Sequence, residues 1–400
     1  MIEGLSAMEK NEIYVGIGSN YKQMAFRAAE WSGLEKMIPS KEAKIAIKPN
    51  LLGPIPAKEG ATTHPEVVAG LMEYLFQKGF HHVEIMEGSW VGDKTQDSVE
   101  CCGFDALCER YGVPFIDLQK DTGVVTDCSG VPIKICSHAL EADFLINVPV
   151  LKGHCQTRMT CALKNMKGVI PNAEKRRFHR MGLFDPIGHL SAGIHQDFIL
   201  VDSICGDLTF EDGGHPVQQD RLIAGRDPVL IDAFGAQLLG LELSEVPYIG
   251  IAQSCGIGSS DVSNAHIYIE REGCPARTDS GADFLSSQDR TDKNSGAGER
   301  TDGLGPGKNL RASLSFMDKA EEIESCSACF AALAPALERL DRETLLEKLD
   351  VKVCIGQGFR GRGGELGIGS CTSGFDHSLP GCPPDSENIY NFLKNYLENL

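Results

Sequence analysis

The sequence predicts an α/β protein: a largely parallel sheet with flanking helices, plus a small C-terminal α/β module organised around cysteines. Three observations lead there. From about residue 12 to 270, short apolar runs alternate with amphipathic stretches, as strands alternate with crossover helices. At about Gly273 the composition turns to Gly, Ser, Asp, Thr, Arg and Lys, and it stays so to about Asn309. Near Leu310 the apolar patterning resumes, now with Cys326, Cys329, Cys371 and Cys382 spaced through it.

In chain order, residues 13–17, 44–47, 83–86, 115–118, 144–148, 199–202 and 222–224 read as strands, each a short apolar run bounded by turn residues. Residues 66–77, 98–110, 229–239 and 246–255 read as helices. Glycines and polar residues follow many of the strands, and ligands collect beyond the carboxyl ends of strands in open α/β sheets. Residues 273–309 hold only Phe284, Leu285 and Leu304 as large apolar side chains. Such a stretch cannot offset its ordering entropy by burial. It reads as a flexible linker or insertion between a domain at 1–272 and a module at 310–400. In that module 330–340 and 343–349 look helical and 351–355 looks like a strand, while 356–369 is a loop with seven glycines. The last helix, 385–400, sets Ile389, Phe392, Leu393, Tyr396 and Leu397 on one face.

Composition narrows the function. A chain of 400 residues, 42% hydrophobic and 24% charged, can bury two or more cores. Its formal net charge of −18 disfavours general nucleic-acid binding and attachment to an anionic membrane. No apolar run is long enough to span a bilayer, and residues 1–12 carry acids where an export signal has an apolar segment. The expected location is therefore cytoplasmic. For 15 cysteines in that setting, metal binding or catalysis is a better explanation than disulfides. Cys161, Cys205 and Cys255 sit among apolar residues and read as small core side chains.

Cys326 and Cys329 form C-S-A-C just before a helical pattern, Cys371 follows the glycine loop in G-S-C-T, and Cys382 lies in G-C-P-P before the last helix. One close pair plus two remote cysteines in glycine- and proline-rich turns can supply the four thiolates of a [4Fe–4S] cluster. The prolines suit the first turn of a helix, so two helix N-termini are expected to face the site and favour an anionic cluster. Zinc is the rival cofactor, since four cysteines also build a structural zinc site. Zinc ribbons usually use two close pairs, whereas ten residues separate Cys371 from Cys382.

These motifs resemble the [4Fe–4S] pattern of nickel–iron hydrogenase small subunits. A broader resemblance is to the DUF362 family, which is iron–sulfur-associated and of largely unsettled function. It rests on I-K-P-N-L-L (Ile47 to Leu52), T-H-P-E (Thr63 to Glu66), V-P-V-L-K-G-H (Val148 to His154), M-T-C-A-L-K-N-M-K-G (Met159 to Gly168), I-L-V-D (Ile199 to Asp202) and R-D-P-V-L-I-D (Arg226 to Asp232). Many members of that family carry a ferredoxin-like C-x-x-C-x-x-C-x-x-x-C-P insert. This chain lacks that run, so the resemblance implies a cluster of the C-terminal kind.

The second informative stretch is 152–180, with eight Lys or Arg against Glu174 alone. Lysines and hydroxyls following a strand suit phosphate or carboxylate. Lys152, His154, Lys164 and Asn165 are the expected ligand contacts, with Lys48, Asn50 and His64 joining the same cleft. Lys175, Arg176 and Arg177 read as a solvated loop. Asp202 and the acidic turn Glu211, Asp212 and His215 form a weak cation or acid–base candidate, and Asp227 reads as a helix N-cap. No P-loop, G-x-S-x-G or H-E-x-x-H motif occurs. The expected function is an iron–sulfur redox or electron-transfer protein, an oxidoreductase if it is an enzyme, whose partner is a redox protein or an anionic small molecule. The alternatives are a non-redox enzyme on a phosphorylated or carboxylated metabolite, and a binding or assembly factor.

Overall fold

The computed structural model describes residues 6–154, 156–208, 216–271, 277–283, 316–323, 325 and 327–399. The chain forms two compact units, Met1–Gly307 and Lys308–Leu400. Among the described residues no helix is long and apolar enough to cross a membrane.

The first unit is built on a mixed sheet of nine strands among the described residues. They are β1 (Glu12–Ile17), β2 (Ile45–Pro49), β3 (Val83–Glu87), β4 (Phe115–Asp117), β7 (Phe144–Val148), β10 (Phe198–Asp207), β11 (Pro216–Gly225), β12 (His266–Arg271) and β13 (Arg277–Ser280). Their order is β13-β12-β1-β11-β10-β7-β2-β3-β4. The run β10-β7-β2-β3-β4 is parallel throughout. Its strands are hydrophobic on both faces, as a sheet covered on both sides requires. On one face Ile45, Ile47, Phe144, Ile146, Val148, Phe198 and Leu200 join a core with Ala25, Ala28, Leu71, Met72 and Leu75 of the helices Tyr21–Trp31 and Pro65–Gln77. On the other face the register sets Lys48 beside Asn147, and both are fully buried. Two hairpins complete the unit: β5 (Gly123–Cys128) with β6 (Val131–Cys136), and β8 (Lys152–His154) with β9 (Arg158–Thr160).

Several expectations need correction. The helix expected over 98–110 is two helices, Thr95–Cys101 and Phe104–Tyr111, broken at Gly103 with φ of 74°. That conformation suits glycine and stops the first helix. The polar stretch 273–309 is not all linker: Arg277–Ser280 pairs antiparallel with β12 at the sheet edge. Residues 284–309 lie outside the described residues.

The second unit holds a parallel sheet of four short strands, β14 (Ala320–Glu322), β15 (Val353–Ile355), β16 (Leu366–Ile368) and β17 (His377–Leu379), in sequence order. Leu333, Leu337, Leu340, Val353, Ile355, Leu366, Ile368, Ile389, Leu393 and Leu397 are among its buried apolar residues, drawn from the sheet and from the helices Ser327–Arg342 and Ser386–Glu398. The glycine loop at 356–369 is interrupted by β16, and the helix expected over 343–349 is only the 3-10 turn Leu346–Lys348.

Candidate functional sites

In the second unit the strands deliver cysteines and glycines to one place. β15 runs into Gly356 (φ 123°) and the 3-10 turn Gln357–Phe359. β16 runs into Gly369 (φ 89°) and the turn Ser370–Thr372, which carries Cys371. β17 leads through Gly381 to Cys382. The last two crossings are tied together: Gly369 N donates to Leu379 O at 2.8 Å, and Ser370 N donates to Gly381 O at 2.8 Å. Cys329, in the first turn of the helix Ser327–Arg342, joins Cys371, Cys382, Gly356, Gly369 and Gly381 around one cavity of about 100 Å³. That is several times the space one water requires. The site lies beyond the carboxyl ends of parallel strands, where α/β sheets place ligands.

Cys329 is buried, Cys371 half-buried and Cys382 exposed. Cys326 lies outside the described residues. Among the described residues no group of three or more His, Cys, Asp or Glu side chains is poised to hold one metal ion. Gly369 takes a backbone conformation, φ 89°, that side chains rarely adopt, and a Cβ there would sit in ordinary contact with Cys329 Sγ at 3.7 Å. Cys354 stays apart on β15, where burial and then Glu321 push its thiol up.

The first unit holds a second cavity, of about 80 Å³, beyond the ends of β2 and β3. Asn50 and Leu51 follow β2, and Glu87, Gly88 and Ser89 close β3. Three successive elements face them: the short helix Ala162–Asn165 gives Lys164 and Asn165, the turn Met166–Val169 gives Lys167 and Gly168, and the helix Asn172–Met181 gives Lys175 and His179, one turn apart. Glu87 anchors the floor. Its Oε2 accepts from Lys48 Nζ at 2.8 Å and Leu51 N at 3.2 Å, and its Oε1 accepts from Gly88 N at 2.7 Å. Gly168 packs on this pair so closely that a Cβ would lie 1.9 Å from Glu87 Oε1.

The electrostatics favour an anion. Lys175 Nζ donates to Gly88 O at 2.7 Å and Ser89 O at 2.8 Å, and burial pushes it down to about 8. Lys164 Nζ donates to Thr160 Oγ1 at 3.2 Å, and Lys167 Nζ lies 3.5 Å from His179 Nε2. Burial, then Lys167 and Lys164, push His179 down to about 3. His154 is held well below the ordinary histidine range by burial, then by Lys164, Lys167, Lys152 and His179. Both imidazoles are thus neutral at pH 7. Lys164, Lys167 and Lys175 line this cationic cavity, and basic side chains gathered in one cavity raise the local concentration of anions.

Of the residues expected in this cleft, Asn50, Lys164 and Asn165 line the cavity. Lys48 lies behind it in the pair with Glu87. Lys152 is buried and donates to Ala61 O. His154 accepts at Nδ1 from Gln156 N and Thr157 N. His64 lies elsewhere, at the head of the helix Pro65–Gln77, its Nδ1 2.9 Å from Asp202 Oδ2, and Asp202 also accepts from His64 N and Ile204 N. That pair raises the His64 pKa, although burial opposes it. Glu211, Asp212 and His215 lie outside the described residues. Glu87 escaped the sequence reading, and Lys167, Lys175 and His179, though inside the basic stretch 152–180, were not among the expected contacts. For Glu87 the signal was present as a carboxylate closing the apolar strand V-E-I-M-E. Lys175 corrects the expectation of a solvated loop, whereas Arg176 is exposed and Arg177 half-buried.

A thylakoid-associated protein of Synechocystis sp. is 25% identical over 228 residues, 54% of this chain and 68% of the relative. The lactate racemase apoprotein of Thermoanaerobacterium thermosaccharolyticum aligns over 58% of this chain and 57% of its own, with 15% identity and a TM-score of 0.38. A Thermotoga maritima protein of solved structure aligns over 60% of each chain, with 12% identity and a TM-score of 0.35. The match thus spans less than two thirds of either solved chain. Residues 45–237, a segment that holds every residue named around the cationic cavity, match the model of the family described as a domain of unknown function, DUF362.

Proposed function

We propose that the chain is an iron–sulfur protein: its second unit holds a [4Fe–4S] cluster on Cys326, Cys329, Cys371 and Cys382, and its DUF362 unit binds an anionic ligand. The observation that carries this reading is the meeting of Cys329, Cys371 and Cys382, from three separate elements, around one cavity. The donor set fits the group: thiolates are the usual ligands of such clusters, and the cavity has room for several atoms rather than a single ion. The N-terminus of the helix Ser327–Arg342 suits its negative charge. When bound, the cluster supplies one-electron redox capacity. The chain's own residues hold it and limit its exposure, Cys329 from the buried side and Cys382 from the exposed side. The electron acceptor or donor is a redox protein or the anionic ligand itself.

Anaerobic purification with iron, sulfide and zinc analysis and electron paramagnetic resonance tests the proposal. The expected result is brown protein with about four iron and four sulfide per chain, as a cubane requires, and loss of the signal in Cys382→Ser. Colourless protein with stoichiometric zinc would overturn it.

A second reading, a non-redox enzyme on a phosphorylated or carboxylated metabolite with a structural cluster or zinc site, is favoured by Lys175. A buried amine titrating at about 8 in an anion-binding cavity suits proton transfer near neutral pH. Turnover that survives in iron-free Cys382→Ser protein would select this reading.

A further inference from the structure

The cationic cavity carries a polarity that its charge alone does not explain. Asn147 Nδ2 donates to Ala162 O at 2.9 Å. A backbone carbonyl can only accept, so this bond fixes which end of the Asn147 amide is nitrogen. Asn147 Oδ1 then accepts from Asn165 Nδ2 at 2.7 Å. Asn165 Oδ1 in turn accepts from Asn50 Nδ2 at 2.7 Å. Reversing any one amide would set oxygen against oxygen or nitrogen against nitrogen, so the whole relay has one sense. It ends at Asn50, which lines the cavity and whose Oδ1 is buried with no hydrogen-bond partner. A buried carbonyl oxygen is costly to leave unpaired. Beside three lysines that attract anions, the unpaired group is an acceptor, and a fully deprotonated oxyanion would present only acceptors to it.

Building on the anion-site reading above, we propose that the cavity selects an oxyanion that carries its own hydrogen-bond donor, with hydrogen phosphate as the simplest case, and that Asn50 Oδ1 receives that donor. The lysines supply the charge attraction common to all anions. The asparagine relay supplies the discrimination, because Asn50 cannot turn its amide round without breaking its bond to Asn165.

Three tetrahedral dianions separate these roles. At pH 8 hydrogen phosphate carries one P–OH, whereas sulfate and methyl phosphate carry none. Calorimetric titration of the full chain is expected to show phosphate binding about ten- to a hundredfold tighter than the other two, the range set by pairing a buried acceptor. Asn50→Ala is expected to bring all three within about twofold of one another, and Lys164→Ala to weaken all three alike. Sulfate or methyl phosphate binding as tightly as phosphate to the wild-type chain would overturn the donor requirement and leave the anion site standing. A phosphate preference that survives in folded Asn50→Ala would overturn the role of Asn50. Binding of none of the three would overturn this inference and the anion site together. If Asn50→Ala does not fold, the wild-type ranking alone decides.

Discussion

Replacing Glu87 by Gln keeps the shape of the cavity floor and removes its charge. Lys48 and Glu87 have side chains 0% and 4% exposed and 2.8 Å apart, so water cannot stand in for the lost carboxylate. The variant leaves the Lys48 ammonium buried without its counter-charge. It also turns an amide NH₂ toward one of the N–H donors, Lys48 and Leu51 on one side or Gly88 on the other. Breaking a buried pair by removing one partner costs about 3–5 kcal/mol. At about 2–4 °C per kcal/mol for a domain of this size, Tm should fall by roughly 6–20 °C. Both tryptophans, Trp31 and Trp90, lie in the first unit, so their fluorescence during heating follows that unit alone. The double variant Lys48→Met/Glu87→Leu, which removes both charges, should recover much of the loss. A Tm for Glu87→Gln within about 2 °C of wild type, or a double variant no more stable than the single one, would refute the reasoning.

Three further outcomes are expected. Lys175 titrates at about 8 rather than its ordinary 10.5, so between those values the unfolded chain binds more protons and stability rises with pH, by roughly 3 kcal/mol in all; urea unfolding at stepped pH should show this rise in wild type and a flatter profile in Lys175→Met, and parallel profiles would count against it. Gly369→Val forces a side chain into a left-handed backbone beside Cys329 Sγ, at a cost of order 1–3 kcal/mol; the iron content of anaerobically purified protein should fall while the tryptophan-reported Tm stays put, and full iron loading would contradict the cradle. Asp227 Oδ1 accepts from Val229 N at 2.8 Å and Leu230 N at 3.1 Å at the head of the helix Pro228–Leu238; Asp227→Ala should lower stability by about 1 kcal/mol in urea unfolding, and no change would remove its capping role.

What the sequence disclosed follows from what each element buries. The central strands announced themselves because both their faces are apolar, and the span 144–148 coincides with β7. The helix Tyr21–Trp31 left only a faint trace, since it packs through Ala25, Ala28 and Ala29 rather than through large side chains. The β8–β9 hairpin was hidden because its three-residue strands bury Lys152, His154 and Thr160, polar residues that spell loop in any local window. Lys175 misled for a related reason. Its ammonium is held by the carbonyls of Gly88 and Ser89, 87 and 86 residues earlier, and no local pattern encodes such a partner. The cysteines were legible because residue type alone marks them. Asn50, Asn147 and Asn165 were not legible as a relay, since a hydrogen-bond polarity exists only once the end of β2, the strand β7 and the helix Ala162–Asn165 have met.

The place of β1 in the sheet also sets a timetable. It lies between β11 and β12, and Glu12 pairs with His266, so 266 − 12 = 254 residues separate partners in one ladder. At roughly 5–20 residues per second of synthesis, β1 waits about 10–50 s for its second neighbour to exist. Until then the run I-Y-V-G-I keeps at least one unpaired, strand-prone edge, the kind of surface that aggregates or engages chaperones. The sheet that places the cationic cavity can therefore close only after residue 271 has been made, and β1 is among its last strands to be secured.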